Sequence, residues 1–200
     1  MNKPFSQACE NNKLPILQKI ATVFTESNTV WEIGSGTGQH ACYFAEHLPH
    51  LTWQPTDRAE NLAGINNWIN DAALMNLNKA LALDVAEKNW ECEKIDALFT
   101  ANTLHIMSWQ EVELFFAGLK KYLSEKAVVC IYGAFNYNGH YSSASNAQFD
   151  QWLKARNPQS GIRDFEDIEK LAKSANLKIE NDFAMPANNR LLMMHSYAND

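Results

Sequence analysis

The stretch Thr29-Val30-Trp31-Glu32-Ile33-Gly34-Ser35-Gly36-Thr37-Gly38 decides how this chain is read. Its first half is apolar and β-branched (Val30, Trp31, Ile33), the pattern of a short buried strand. Glycine then stands at every second position, and Gln39-His40-Ala41-Cys42-Tyr43-Phe44-Ala45-Glu46-His47-Leu48 follows with the look of a helix. Strand, glycine turn and helix together open a nucleotide-binding α/β unit. The glycines let the backbone turn sharply and let a ligand approach it, because a Cβ would collide there.

The spacing separates two ligand classes. A dinucleotide fingerprint runs G-x-G-x-x-G and turns a helix N-terminus toward a pyrophosphate. Here the order is Glu32-x-Gly34-x-Gly36-x-Gly38, with Gln at position 39. A carboxylate two places before the first glycine repels a pyrophosphate and suits an ammonium or sulfonium. The pattern resembles motif I of the class I S-adenosylmethionine (SAM) dependent methyltransferases. That resemblance implies that Glu32, Gly34, Ser35, Gly36, Thr37 and Gly38 border the methionine part of the cofactor, with Glu32 acting through water or by orienting the loop amides. The structural alternative is a plain tight turn.

Two hundred residues correspond to one domain with a core large enough to need no staple. The net charge is −6 without a basic stretch, which argues against a large RNA or DNA substrate. Cys9, Cys42, Cys92 and Cys130 are scattered and read as reduced, mostly buried thiols. No metal-ligand spacing is visible, so no metal is expected. No signal-like or membrane-length apolar run appears, and a soluble, cytoplasmic protein is the expectation. The sequence does not indicate an oligomeric state.

Working outward, a helix leads in with Leu14, Leu17, Ala21 and Phe24 at helical spacing and Pro15 in its first turn. The second strand is expected over 51–56 ending at Asp57, with Pro55 near its end, and a helix over 59 to about 73. Further strands are expected over 80–84, 95–101 and 127–133. Ser108 and Glu111 mark a capping box for the helix between the last two. Residues 134–144 read as a loop. Helices follow around Phe149, Trp152 and Leu153 and from an N-cap at Asp164 to Ala175, then an antiparallel hairpin of 177–183 and 191–197. The expectation is a Rossmann-like, doubly wound α/β fold with a seven-stranded sheet: five parallel strands plus a C-terminal antiparallel hairpin, the class I methyltransferase sheet. As one domain over 1–200 it divides into an N-terminal cap segment and helix (1–28), a cofactor-binding core (29–133) and a substrate side (134–200).

Ligands of open α/β sheets sit at the carboxyl ends of the strands. Glu32, Asp57 and Asp84 close the first three strands, and Asn102 and Asn136 follow the fourth and fifth. Asp57, with Arg58 beside it, lies about twenty residues past the turn, where an acid meets ribose hydroxyls; the alternative is a helix cap. Asp84-Val85 resembles the methyltransferase pair that holds the adenine amino group. Asn102, His105 and Tyr132 are the candidate catalytic residues, Asn102 being a cofactor-binding candidate as well and His105 a general base or a packing histidine. Asn12, Phe135, Asn136, Asn146, Asp150, Asn188 and Asn189 are candidates for the substrate pocket. The asparagines could instead cap helices and shape the hairpin turn.

Beyond motif I, the chain resembles the methyltransferase-like proteins of domain-of-unknown-function 938. The matching stretches run from Ala8-Cys9-Glu10-Asn11-Asn12-Lys13-Leu14-Pro15-Ile16 through Glu32–His40, Trp53–Asp57, Asn102–Ile106, Tyr132–Phe135 and Ser145–Asp150 to Gly161-Ile162-Arg163-Asp164 and Met185–Asn189. Ala134 stands where that family usually has proline. The resemblance implies methyl transfer from SAM, leaving S-adenosylhomocysteine (SAH), to an acceptor it does not name. A D/N-P-P-Y/F/W motif and a Pro-Cys pair are both absent, which favours a small polar metabolite over adenine, glutamine or cytosine C5. Two rivals stand beside this reading: a non-catalytic SAM-binding module with a protein partner, and an NAD-dependent oxidoreductase.

Overall fold

The computed structural model describes residues 3–198. Met1, Asn2, Asn199 and Asp200, the ends of the expected domain, lie outside the described residues. Helix α1 spans Gln7–Val23, strand β1 Thr29–Ile33, α2 Gln39–His47 and β2 Thr52–Asp57. A 3-10 turn over Ala59–Asn61 leads into α3, Leu62–Ala72. Then come β3 Leu81–Ala82, β4 Ile95–Ala101, α4 Trp109–Tyr122, β5 Leu123–Gly133 and β6 Phe135–Asn136. The chain closes with α5 Ala144–Arg156, β7 Arg163–Asp164, α6 Phe165–Ser174, β8 Leu177–Met185 and β9 Asn189–Ser196.

Seven strands form one sheet in the order β3-β2-β1-β4-β5-β9-β8. β1 to β5 run parallel, and β9 lies antiparallel between β5 and β8. The order reverses at β1/β4, so the carboxyl ends of these two strands flank the crevice where such sheets take ligands. One face is covered by α1, α2 and α3 over Ile16, Phe44, Trp53, Ile65 and Phe99. The other is covered by α4 and α6 over Phe115, Phe116, Leu119, Ile131 and Ile168. Among the described residues no helix is long and apolar enough to cross a membrane.

Several expectations shift. Ser6 caps α1 through its side chain, so the helix starts early and Pro15 falls inside it rather than in its first turn. The buried stripe of α1 is Asn12, Ile16 and Ile20, while Leu14 is exposed. β3 is two exposed residues instead of 80–84, short as an unprotected edge should be. Pro55 is accommodated inside β2 because Trp53 and Asp57 bond outward to 76–78 and Leu83, leaving Pro55 opposite Lys79-Ala80, where no ladder forms. The 3-10 turn takes the first three residues of the expected 59–73 helix. The 134–144 loop contains β6, which pairs with β7; strands of two residues carry no periodicity to read. Both hairpin strands begin or end nearer the turn than expected. The capping box of Ser108 and Glu111 is present. Of the four cysteines only Cys130 is buried, the other three being half-buried.

Candidate functional site

The glycine turn leaves β1 with Gly34, Gly36 and Gly38 all at positive φ (73°, 59° and 87°), a region closed to most side chains. Gly34 and Ser35 donate their N–H groups to Thr56 O at 2.9 Å, which stitches the turn to β2. A Cβ on Gly34 would lie 2.5 Å from Thr103 Cγ2, and one on Gly38 would press on Ile65. A Cβ on Gly36 would meet nothing within 4 Å. The apex of the turn therefore faces open space, and a hollow of about 300 Å³ lies there, lined by Lys3, Pro4, Gly36, Glu60, Asn61 and Gly64.

Glu32 is buried beneath the turn. Its Oε2 accepts from Trp53 Nε1 and Ser35 Oγ, both at 3.0 Å. Burial raises its carboxyl to about 7, against the lowering pull of these two donors. Ser35 Oγ in turn accepts the Thr56 amide, so Glu32 acts on the turn through Ser35.

Asp57 faces the turn. Its Oδ2 accepts the Gly36 N–H at 2.7 Å, and its Oδ1 accepts the Arg58 N–H at 2.8 Å and Asn61 Nδ2 at 2.7 Å. Arg58 reaches across the sheet edge, pairing with Asp84 at 3.2 Å and with Glu111 of the capping box. Asp84 also accepts the Ala86 amide. Val85 points its side chain into the core, so only its backbone borders the edge.

On the β4/β5 side, Asn102 sits at φ 59° and donates its N–H to Tyr132 O at 2.8 Å. Tyr132 is buried in the α1 face, with its hydroxyl beside the amides of Asn12 and Asn189; burial raises it above the ordinary phenol value. Asn12 Oδ1 meets His40 Nε2 at 2.6 Å. His40 is stacked on Phe44, and burial holds it at about 4. His105 is also buried, edge-on to Phe149 at 5.0 Å, and is held at about 4 by burial first and by Arg163 second.

The structure thus gathers Glu32, Ser35, Gly36, Thr37, Asp57 and Arg58 at one end of the edge and Asn12, Asn102, Tyr132 and Asn189 at the other. Of the other pocket candidates, Phe135 and Asn136 form β6, and Asn146, Asp150 and Asn188 lie on α5 and the hairpin turn. Phe135 is packed in the α4/α6 core. Asn136 keeps a buried Oδ1 that has no partner among the described residues. Asn146 spends its amide on Ser142 Oγ and Asn188 O, and Asn188 donates to Ser145 Oγ, tying α5 to the hairpin turn. Asp150, expected in the pocket, is buried and accepts from Tyr141, Lys154 and the Ile162 amide. Asn189 Nδ2 also donates to Pro186 O.

Sequence reading passed over Gln39, which clasps α1 to the turn. Its Oε1 accepts the Ser6 N–H at 2.6 Å and Thr37 Oγ1 at 3.0 Å, and its Nε2 donates to Glu10 at 2.7 Å. His40, Asn61 and the Lys3-Pro4 wall of the hollow were missed as well. A polar pair directly after three glycines, at the buried start of a helix, was the available signal for Gln39 and His40.

Among solved structures, the chain is similar to an O-methyltransferase family protein from Burkholderia thailandensis, at TM-score 0.82 and 15% identity over 94% of this chain and 57% of that one. It is similar to the SAM-dependent methyltransferase SibL in its apo form, at TM-score 0.80 and 18% identity over 95% and 56%. It also matches CalO1, a methyltransferase of calicheamicin biosynthesis in its SAH-bound form, at TM-score 0.69 and 16% identity over 85% and 49%. The chain spans about half the length of these proteins. Likeness at such identity shows the fold, the class I methyltransferase sheet. The model of the family described as protein of unknown function (DUF938) matches residues 3–196. Matched over nearly its whole described length, and folded on the methyltransferase plan, the chain belongs to the DUF938 family.

Proposed function

We propose that the protein is a SAM-dependent methyltransferase for a small polar acceptor. The observation that carries this reading is the apex at Gly36, open on its outer side over a hollow of about 300 Å³ while carboxylates stand beneath and beside it. The residues present fit the cofactor. The Asp57 carboxylate beside the turn favours a cationic ligand, and its Oδ2, with one bond made, has a lone pair left for a hydroxyl. Asp84 and the Val85 backbone are the candidates for the adenine end.

When bound, SAM supplies a methyl group already activated by its sulfonium. What remains for the chain is to align an acceptor, which is worth roughly 7–11 kcal/mol of barrier. Asn102, Tyr132, Asn12 and Asn189 would do this by hydrogen bonding. The Tyr132 hydroxyl stays protonated at neutral pH and can donate. His105, held at about 4, is a neutral and weak base at pH 7, better suited to accepting a hydrogen bond than to removing a proton.

Titration calorimetry with SAM, SAH and NADH tests the reading, followed by release of SAH across a panel of polar acceptors. Binding of SAM and SAH but not NADH, with turnover, is expected. No binding of either sulfur ligand overturns the proposal. Binding without turnover points to the non-catalytic module, and NADH binding alone to the oxidoreductase.

A further inference from the structure

The link between α5 and α6 grips the turn after β4 by its backbone. Four consecutive carbonyls of that turn accept hydrogen bonds from Ser160, Gly161 and Arg163. Leu104 O takes Arg163 Nε at 3.1 Å, His105 O takes the Gly161 N–H at 2.9 Å, Ile106 O takes Ser160 Oγ at 2.7 Å, and Met107 O takes Arg163 Nη2. Exposed turn carbonyls ordinarily face water, so a full set satisfied by one short segment fixes the turn's path. The same segment pairs through β7 with β6, the start of the loop after β5. Behind it, buried Asp150 holds the Ile162 N–H at 2.8 Å, and a Cβ on Gly161 would lie 2.9 Å from Asp150 Oδ1. Residues 160–164 therefore hold the loops after both β4 and β5.

We propose that Arg163, seated by Asp150, Ser160 and Gly161, is a positioning residue for the acceptor side of the site, setting where Asn102 to His105 stand through the carbonyls of Leu104 and Met107. The inference rests on the methyltransferase reading for its purpose and on the hydrogen bonds alone for its mechanism. Arginine suits this position because its planar fork reaches two carbonyls at once, which a lysine ammonium cannot do in the same geometry. Its charge also acts on His105, whose ring meets Phe149 edge-on and lies near the Gly133 backbone.

The test uses the full chain with Arg163→Gln and Arg163→Lys, read by amide hydrogen exchange, NMR titration of the His105 ring and SAH calorimetry. The amides of Ile106 and Met107, which both donate to Thr103 O, should exchange about tenfold faster or more in both variants. His105 should titrate higher in Arg163→Gln and near the parent in Arg163→Lys, a split that loss of packing alone would not produce. SAH affinity should stay within about twofold, since the segment's hydrogen bonds go to residues 104–107 and not to the glycine turn. Unchanged exchange at Ile106 and Met107 in folded Arg163→Gln overturns the inference, as does loss of SAH binding there. Should Arg163→Gln not fold, Ser160→Ala removes one bond only: faster exchange confined to this turn supports the inference, and unchanged exchange overturns it. Failure of the parent to bind SAH would refute the methyltransferase reading and leave these exchange results standing.

Discussion

The amide of Gly36 donates to Asp57 Oδ2 at 2.7 Å, joining the apex of the glycine turn to the carboxylate that closes β2. The carboxylate thus shapes the turn as well as offering an acceptor to a ligand. Asp57→Ala should lower SAH affinity by about 2 kcal/mol, roughly thirtyfold, as loss of a charged hydrogen bond does. Calorimetry on the folded variant checks this, and unchanged affinity would remove Asp57 from the cofactor site.

Stability should rise from pH 5 to about 7 and level off there, because two buried histidines outweigh one buried carboxyl. Glu32 is raised to about 7 in the fold, so the folded state holds a proton that the unfolded state has released. Its contribution therefore declines as pH rises from about 4.5 to 7 and is constant above, a penalty of order 3 kcal/mol at most. His40 and His105, held at about 4, work the other way: below about 6.5 the unfolded chain binds protons that the fold refuses, so stability falls on acidification. Urea titrations between pH 5 and 8 should show the rise and the plateau. Glu32→Gln, whose carbonyl can still accept from Trp53 and Ser35, should steepen the rise between pH 5 and 6.5 and be at least as stable as the parent at pH 8.

A glycine inside a helix normally gains about 1 kcal/mol on replacement by alanine. Gly118 in α4 should do the reverse. Its Cβ would lie 2.2 Å from Trp90 Cζ2. That indole is stacked on Tyr122 at 5.4 Å, and the Trp90 backbone N–H donates to the Tyr122 hydroxyl at 2.9 Å. Gly118→Ala should cost about 1–3 kcal/mol by overpacking, and Trp90→Leu should restore part of it in the double variant. Thermal melts of the single and double variants check the sign.

Much of this was legible because the deciding signals are local. Strand, glycines and helix occupy adjacent residues, and Ser108 with Glu111 sits three apart, so the switch point and the cap could be read directly. The carboxylates at the strand ends were legible for the same reason, though not their partners: nothing in sequence tells that Asp57 turns to Gly36 or that Glu32 meets Trp53 across the sheet. The proposed acceptor side was less legible. Its asparagines look alike in sequence, yet Asn12 lies beside Tyr132 while Asn146 ties α5 to the hairpin turn. The grip of Arg163 on residues 104–107 joins segments more than fifty residues apart and leaves no periodic trace.

Gln39 couples the N-terminal helix to the glycine turn, and its replacement should separate stability from charge. The side chain is nearly fully buried, accepting from Ser6 and Thr37 and donating to Glu10. Gln39→Ala leaves the Ser6 N–H and a Glu10 oxygen without these partners, a cost of about 1–3 kcal/mol. It should also weaken SAH binding, because Thr37 loses the acceptor that orients it beside Gly36. Gln39→Glu keeps the acceptor for Ser6 and Thr37 but sets a second carboxylate against Glu10, whose carboxyl is already held below its ordinary value, first by Lys13. The new group must protonate to replace the lost N–H donor, so this variant should approach the parent at pH 5 and fall below Gln39→Ala at pH 8. Urea unfolding at the two pH values checks the crossover, and identical stability of the two variants throughout would show that α1 does not rest on this clasp.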